Sequence, residues 1–432
     1  MRAVRTQSWR TVVAGVTIAL GLTAAGRTAA QAIATLFPEG VPGFDASPGV
    51  TVRSRLHPQL EPEGVRVGSF VLRPSLETAT GYDGNPTGLR GAPGSWLVRT
   101  APALLAASDW SRHALGGYVS LTDTHYLDTP TQSRTDGTVL LGGAVDVGRD
   151  RWSLAVAHLA LHQDANQVGA LPTDRPLSFT VDSARTTYAA SFGRWTLTPA
   201  AEVARWRFDD ATVAGASVSQ AYRDRLVTQG GATLRYELAP RRTLVTVGRM
   251  IGQAYSTQPL GQPSQNSFAT QLLFGVDYEA DALWRLRLLV GGETRRFAAY
   301  RSHDALIAEA ELAWMPSGLT TIRAHLARSV EDAAQEGVSG YTYTSGRLAI
   351  DHEYMREVVL SAAAGLQHAD FLQGGAQTGY AVGVGATWRV NRTLQVSASY
   401  DLRGVTSGHA GTQPTANAGT HSLGLLTLRF GL

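Results

Sequence analysis

His158 and His162 lie four residues apart, a spacing that on a helix would aim two imidazoles at one metal ion. On a β-strand the same spacing separates them by roughly 13 Å, too far to share an ion. The run "GVGATW" from Gly383 has the glycines of a phosphate loop, but it lacks the Lys-Ser/Thr ending and sits inside a predicted strand. Its glycines instead make room in an interior or allow close strand packing. Asn391-Arg392-Thr393 matches a glycosylation acceptor, yet it falls in a predicted turn and reads better as a hairpin. With no Cys in the chain, a thiol nucleophile, a disulfide framework and a zinc-thiolate site are all excluded. Ser, His and acidic residues occur throughout without a local arrangement that marks a nucleophile. The expectation is a protein that is not an enzyme and uses neither cofactor nor metal.

The charged residues show a different kind of order. In "TGYAVGVGATWRVNRTLQVSASYDL", Tyr380, Val382, Val384, Ala386, Trp388 and Val390 fall on one parity, while Gly379, Ala381, Gly383, Gly385, Thr387 and Arg389 fall on the other. Phe268, Thr270, Leu272, Phe274, Val276 and Tyr278 likewise oppose Gln271, Gly275, Asp277 and Glu279. Arg73, Glu77, Arg185, Arg235, Glu237, Asp277, Arg285, Arg287, Glu309, Glu311, Arg323, His325, Arg347, Asp351 and Asp401 all lie on the small or polar parity. An Arg on a lipid-facing strand costs roughly 2 to 4 kcal/mol at the bilayer midplane, so these residues are expected to point inward and line a pore. Rows of both signs would set a transverse field across such a pore. The other reading is that they pair with one another and brace or plug the interior.

The elements that must position them are strands. Charged residues make up 17% of the 432 positions, below the roughly 25% of a typical soluble domain. The formal charge is +3, every basic residue is Arg, and no basic block is interleaved with aromatics, which makes nucleic acid an unsuitable partner. Arg2, Arg5 and Arg10 precede an apolar run from Thr11 to about Ala25 and small residues near Ala30 and Ala32, so residues 1–32 read as a signal peptide. No later uncharged stretch reaches the roughly 20 residues of a spanning helix. Residues 33–67 carry Pro38, Pro42, Pro48, Pro58 and Pro62 without a sustained period and read as a flexible periplasmic arm. From residue 68 to 432, alternating segments are separated by connections that run short, long, short, long.

The short connections are 109–112, 148–151, 193–194, 239–242, 280–282, 316–318, 355–356 and 391–392. The longer ones lie near 83–94, 128–137, 164–181, 209–223, 257–267, 298–302, 332–341, 372–377 and 406–418. This rhythm predicts an all-β fold: a transmembrane antiparallel up-and-down β-barrel of about 18 strands, with periplasmic short turns and both barrel ends on that side. Faces are least distinct near 113–127 and 224–256. Trp110, Trp152, Trp195, Trp284, Trp314 and Trp388 cluster beside the short connections, as an interfacial girdle would. Trp96 and Trp206, near opposite strand ends, are assigned to an outer girdle. The closing "GTHSLGLLTLRFGL" alternates Leu426, Leu428, Phe430 and Leu432, a terminal strand of the kind that barrel-assembly machinery reads.

The stretch "LEPEGVRVGSFVLRPSLETATGYDGNP", residues 60–86, resembles the opening of the putative β-barrel porin family of Gram-negative outer membranes. The likeness rests on Gly68-Ser69-Phe70, Pro74-Ser75-Leu76-Glu77 and Gly81-Tyr82-Asp83-Gly84-Asn85 after a Pro-containing arm, with Gly84 where the family often has Asp. The resemblance implies a porin-like role in the outer membrane, a link in some relatives to exopolysaccharide export, and no catalytic residues. The expected partners are outer-membrane lipid and lipopolysaccharide, the barrel-assembly machinery and a polysaccharide. The oligomeric state is left open. The alternative is a non-conducting structural or adhesive barrel whose surface loops, 164–181 and 209–223 among them, bind polymers.

Overall fold

A computed structural model describes residues 40–44, 51–53, 59–281, 283–415 and 418–432. The segment read as a signal peptide, residues 1–32, lies outside the described residues. Among the described residues eighteen long strands form one antiparallel sheet. In chain order they are β1 (Phe70–Asp83), β2 (Ser95–Ser108), β3 (Ala114–Tyr126), β4 (Arg134–Val147), β5 (Asp150–Gln163) and β6 (Leu177–Phe192). There follow β7 (Trp195–Phe208), β8 (Arg225–Ala239), β9 (Arg242–Tyr255), β10 (Ser267–Asp281), β11 (Trp284–Phe297) and β12 (His303–Ser317). The last six are β13 (Thr320–Glu331), β14 (Tyr341–Met355), β15 (Val358–Phe371), β16 (Ala376–Arg389), β17 (Leu394–Val405) and β18 (Thr420–Gly431).

Each strand pairs with the next, and β1 closes on β18 from Ser75 opposite Gly431 to Asp83 opposite Leu423. Closure pairs the first and last of the eighteen strands, the condition for a sheet to cross a bilayer. At the seam, β18 stops short of the start of β1. Val65–Val67 fills that gap by pairing with Phe70–Leu72, so the chain covers its own exposed edge.

The period-2 pattern gives the wall two faces. Leu154 and Val156 on β5, Leu272 and Phe274 on β10, Leu288 and Val290 on β11, and Val382 and Val384 on β16 are exposed outward. Their neighbours on the other parity are covered from inside. The interior is not uniformly polar: Val245, Val247, Leu273, Leu289 and Ile307 form a buried apolar cluster on the inward face of β9 to β12. Two-residue turns at 148–149 and 193–194 place Gly148 and Gly193 at φ near +63°, the left-handed conformation a tight hairpin requires.

The long connections all lie at the opposite end from these turns. Two of them, 298–302 and 372–375, are themselves short. β6 starts at Leu177, inside the stretch read as loop, because Leu177, Phe179 and Val181 alternate into a buried internal cluster. Trp110 packs edge-on against Phe70, Trp195 lies 4.5 Å from Tyr236, and Trp284 stacks on Trp314 at 4.8 Å, all at the short-turn ends. Trp152 and Trp388 are exposed on the same side. Trp96 lies outward beside Tyr82 near the other rim. Trp206 is a correction: it lies on the inward parity of β7, stacked with Phe179 and Phe208 beneath Arg225, and belongs to no girdle.

Candidate pore and its two mouths

Along the lumen wall, strand register brings opposite charges side by side. Arg235 on β8 is 3.8 Å from Asp277 on β10, and Arg323 on β13 is 2.7 Å from Asp351 on β14. Glu77 on β1 faces Arg429 on β18 at 3.5 Å. Glu309 receives a 2.7 Å hydrogen bond from Arg249, a residue on the stretch of β9 where the faces were hard to read from sequence. Arg185 is registered opposite Glu202, Arg287 between Asp277 and Glu311, and Arg285 opposite Glu279. Arg347 is registered opposite His325. Arg73, Glu237 and Asp401 sit on the same inward parity on β1, β8 and β17 without an ion pair to another residue of the predicted set. The wall is therefore a mosaic of neighbouring opposite charges rather than one row of each sign.

The mouth on the short-turn side holds a feature with no signal in the sequence. Residues 40–44 lie against the inner faces of β2 to β5, where Val41 and Phe44 pack with Leu105, Tyr118, Leu140, Ala155 and Ala157. The fit depends on glycine: a methyl group on Gly142 would overlap the Pro42 carbonyl oxygen, and one on Gly116 would fall 2.7 Å from the Gly40 oxygen. Residues 51–53 lie against the far wall. There the Val52 amide donates to Thr321 Oγ1, and the Arg53 guanidinium donates to Asp351 Oδ1 at 2.6 Å and to Ser361 Oγ. Asp351, only 1% exposed, is thus held between Arg53 and Arg323. Arg389 reaches both the Arg53 carbonyl oxygen and Glu61.

At the mouth on the long-loop side the loops turn inward and tie to one another. From loop 164–176, the Gly169 amide donates to Gln377 Oε1 on β16, and Gln335 Nε2 of loop 332–340 donates to the Ala170 carbonyl. Val168 occupies the space over Gly379, where an added methyl group would lie 2.6 Å from it. The Tyr222 hydroxyl in loop 209–224 donates to the Ala334 carbonyl, and Gln265 in loop 256–266 donates to that of Val338. The carboxylate of Asp174 accepts from the Ala214 and Gly215 amides.

Asp164, at the start of its loop, bridges Arg134 on β4 and Arg403 on β17. Burial alone would raise its carboxyl, but Arg134, Arg403 and His421 outweigh it and hold the pKa below the ordinary value. Burial pushes the neighbouring loop's Arg223 guanidinium down to about 10, and it lies 4.0 Å over the Phe208 ring, charged at neutral pH. Beside Asp164 a seam cluster joins β1, β3 and β18: Asp83 accepts from Tyr126 Oη at 2.9 Å and the Asn85 amide at 3.0 Å, and contacts His421 Nε2 at 2.7 Å. The sequence reading starts the first long connection at residue 83, whereas the structure ends β1 on Asp83, whose odd parity with Glu77 is a usable signal.

An eighteen-stranded closed barrel with an apolar outer belt, an aromatic rim and a charged inner wall is an outer-membrane β-barrel of the porin type. Residues 57–425 match the family model described as "Putative beta-barrel porin 2", and the chain belongs to that family. No curated protein matches it. Among solved structures it is similar to Pseudomonas aeruginosa OpdQ at 9% identity and a TM-score of 0.48, over 85% of this chain and 98% of that one. It is also similar to P. aeruginosa OccK2 (OpdF), at 13% identity and a TM-score of 0.46, over 85% and 98%. For the outer membrane protein OpdK of the same organism the values are 12%, 0.44, 84% and 98%. At these scores the likenesses carry no further argument.

Proposed function

We propose that the protein is an outer-membrane channel through which hydrophilic solutes diffuse, selected by lumen width and by the charge mosaic on the wall. The observation that carries this reading is the segregation of charge. Arg235, Asp277, Arg287, Glu309, Arg323 and Asp351 all project inward from the strands. Outward charges such as Asp182, Arg205 and Arg207 gather toward the extracellular ends. A barrel that only needed to stand in the bilayer would not require so many charges inside, each with a desolvation cost. Barrels of this strand number generally leave an aqueous channel.

A saccharide chain is chemically compatible with the same wall, since its hydroxyls bond to both carboxylates and guanidinium groups, and we extend the proposal to exopolysaccharide export. Glycosyltransferase genes beside this one would support that extension, and their absence would count against it. Residues 1–32 are proposed as the leader, with the segment around 59–67 on the periplasmic side. The Trp and Tyr rims and the terminal strand ending Phe430-Gly431-Leu432 suit contact with lipopolysaccharide and recognition by the barrel-assembly machinery.

A second reading is favoured by the tied loops and the internal segments at the two mouths: a barrel that is closed and serves as a structural or adhesive element. Planar-bilayer recording separates the two. Stepwise ion conductance from the purified protein supports the channel, and a silent bilayer supports the closed barrel.

A further inference from the structure

Residues 40–44 and 51–53 are anchored on opposite walls of one lumen, β2 to β5 on one side and β13 to β16 on the other. We infer that residues 40–44 and 51–53 are a built-in constriction of the periplasmic mouth, and that Arg53 is a selectivity-determining residue of the channel. The inference rests on the channel reading above and goes beyond it, because it takes the narrowest point at this end away from the barrel wall and gives it to these two segments.

Three observations carry it. The wall is shaped to receive the arm: the backbone of Gly40 to Pro42 lies where side chains at positions 116 and 142 would otherwise be, so the two glycines form a cradle rather than open water. The arm completes the wall's chemistry: Asp351 is buried, and one of its two guanidinium partners is supplied by Arg53. Finally, Val41 and Val52 are wholly buried, one on each wall, so the arm is packed at both places and does not merely touch the surface. With Arg53 in position, two guanidinium groups flank one carboxylate, which biases the mouth toward anions.

Two full-length variants separate width from charge. Gly142→Ile fills the cradle and expels the Pro42 backbone without altering charge. Arg53→Glu sets a carboxylate against Asp351. Each should raise single-channel conductance about 1.5-fold or more, and Arg53→Glu alone should shift the reversal potential toward cation selectivity. The absence of native cysteine permits a reading independent of current. Leu140→Cys, covered by Val41 and Phe44, should resist a water-soluble thiol reagent in the otherwise native chain and react at least about tenfold faster in the Gly142→Ile background.

Heat-modifiable migration on gels confirms that each variant is a folded barrel. Equal conductance in wild type and both variants, or equal labelling with and without Gly142→Ile, overturns the constriction alone. A bilayer that stays silent for wild type and variants alike overturns the channel reading and the constriction with it. Wild-type silence relieved by either substitution upholds both.

Discussion

At the scale of single residues, several inward positions serve contacts that pairing parity alone cannot reveal. Parity directs Gly379 inward, and the natural reading is that its missing side chain leaves room in the lumen; in the structure the space is taken by Val168 from a loop more than two hundred positions earlier. The alternation reports which way a residue points, and nothing local reports what meets it there. Asp83 is a similar case. It is wholly buried at the closing seam and serves Tyr126, His421 and the Asn85 amide together. Asp83→Ala strands these partners in a buried site and should lower barrel stability by about 3 kcal/mol. The measurable outcome is a drop in the temperature at which the folded gel band converts to the unfolded one. Asp164 gives a prediction in pH. Its pKa is lowered from 3.8 by Arg134 and Arg403, so its stabilisation of loop 164–176 is complete above that value and is lost as pH falls through the lower folded value. Hydrogen exchange at Gly169, whose amide is held by Gln377, should therefore stay slow at pH 7 and lose protection only as pH falls below 3.8. Asp164→Asn should speed it at neutral pH. Unchanged protection in both conditions would show that the loop does not depend on this carboxylate.

At the scale of elements the sequence was most legible where lipid is the solvent. A bilayer face demands an apolar residue at every second position and a turn at each end, so the strands and their short turns could be read locally. The blurred segments near 113–127 and 224–256 prove to be β3, β8 and β9, which carry Gly116, Gly117, Gly230, Gly231 and Gly248. Without side chains these positions weaken the contrast between faces. Trp206 departs from its expected place for a related reason: a position near a strand end suggests a girdle, but inward parity seats it against Phe179 and Phe208. The outer belt predicts depth-dependent costs. Val290 lies midway along β11 and faces outward, whereas Tyr354 lies outward at the short-turn end of β14. Val290→Arg should destabilise the barrel by about 2 to 4 kcal/mol, and Tyr354→Arg by no more than about 1. Urea titration of the barrel in bilayers of defined thickness measures both. Equal costs would mean that one of these positions has been assigned to the wrong depth.

For the whole molecule, the barrel could be inferred from the sequence but its two mouths could not, because both are built from contacts between distant segments. The cap at the long-loop end joins loops 164–176, 209–224, 256–266 and 332–340 through hydrogen bonds of Gln335, Gln377, Tyr222 and Gln265. The periplasmic constriction joins residues 40–44 and 51–53 to opposite walls. If solute crosses both, the two act as resistances in series, and releasing one leaves the other limiting. Gln377→Ala, which removes the acceptor for Gly169, loosens the cap, and Arg53→Glu releases the arm. Were each mouth to hold about two-fifths of the total resistance, either change alone would raise conductance about 1.7-fold and the two together about fivefold, well above the product of the singles. Recording the wild type, both single variants and the double variant under one salt condition closes the cycle. A double variant whose gain is only the sum of the two single gains, about 2.3-fold over wild type, would mean that the mouths do not limit one shared path, and that solute passes the cap and the arm by separate routes.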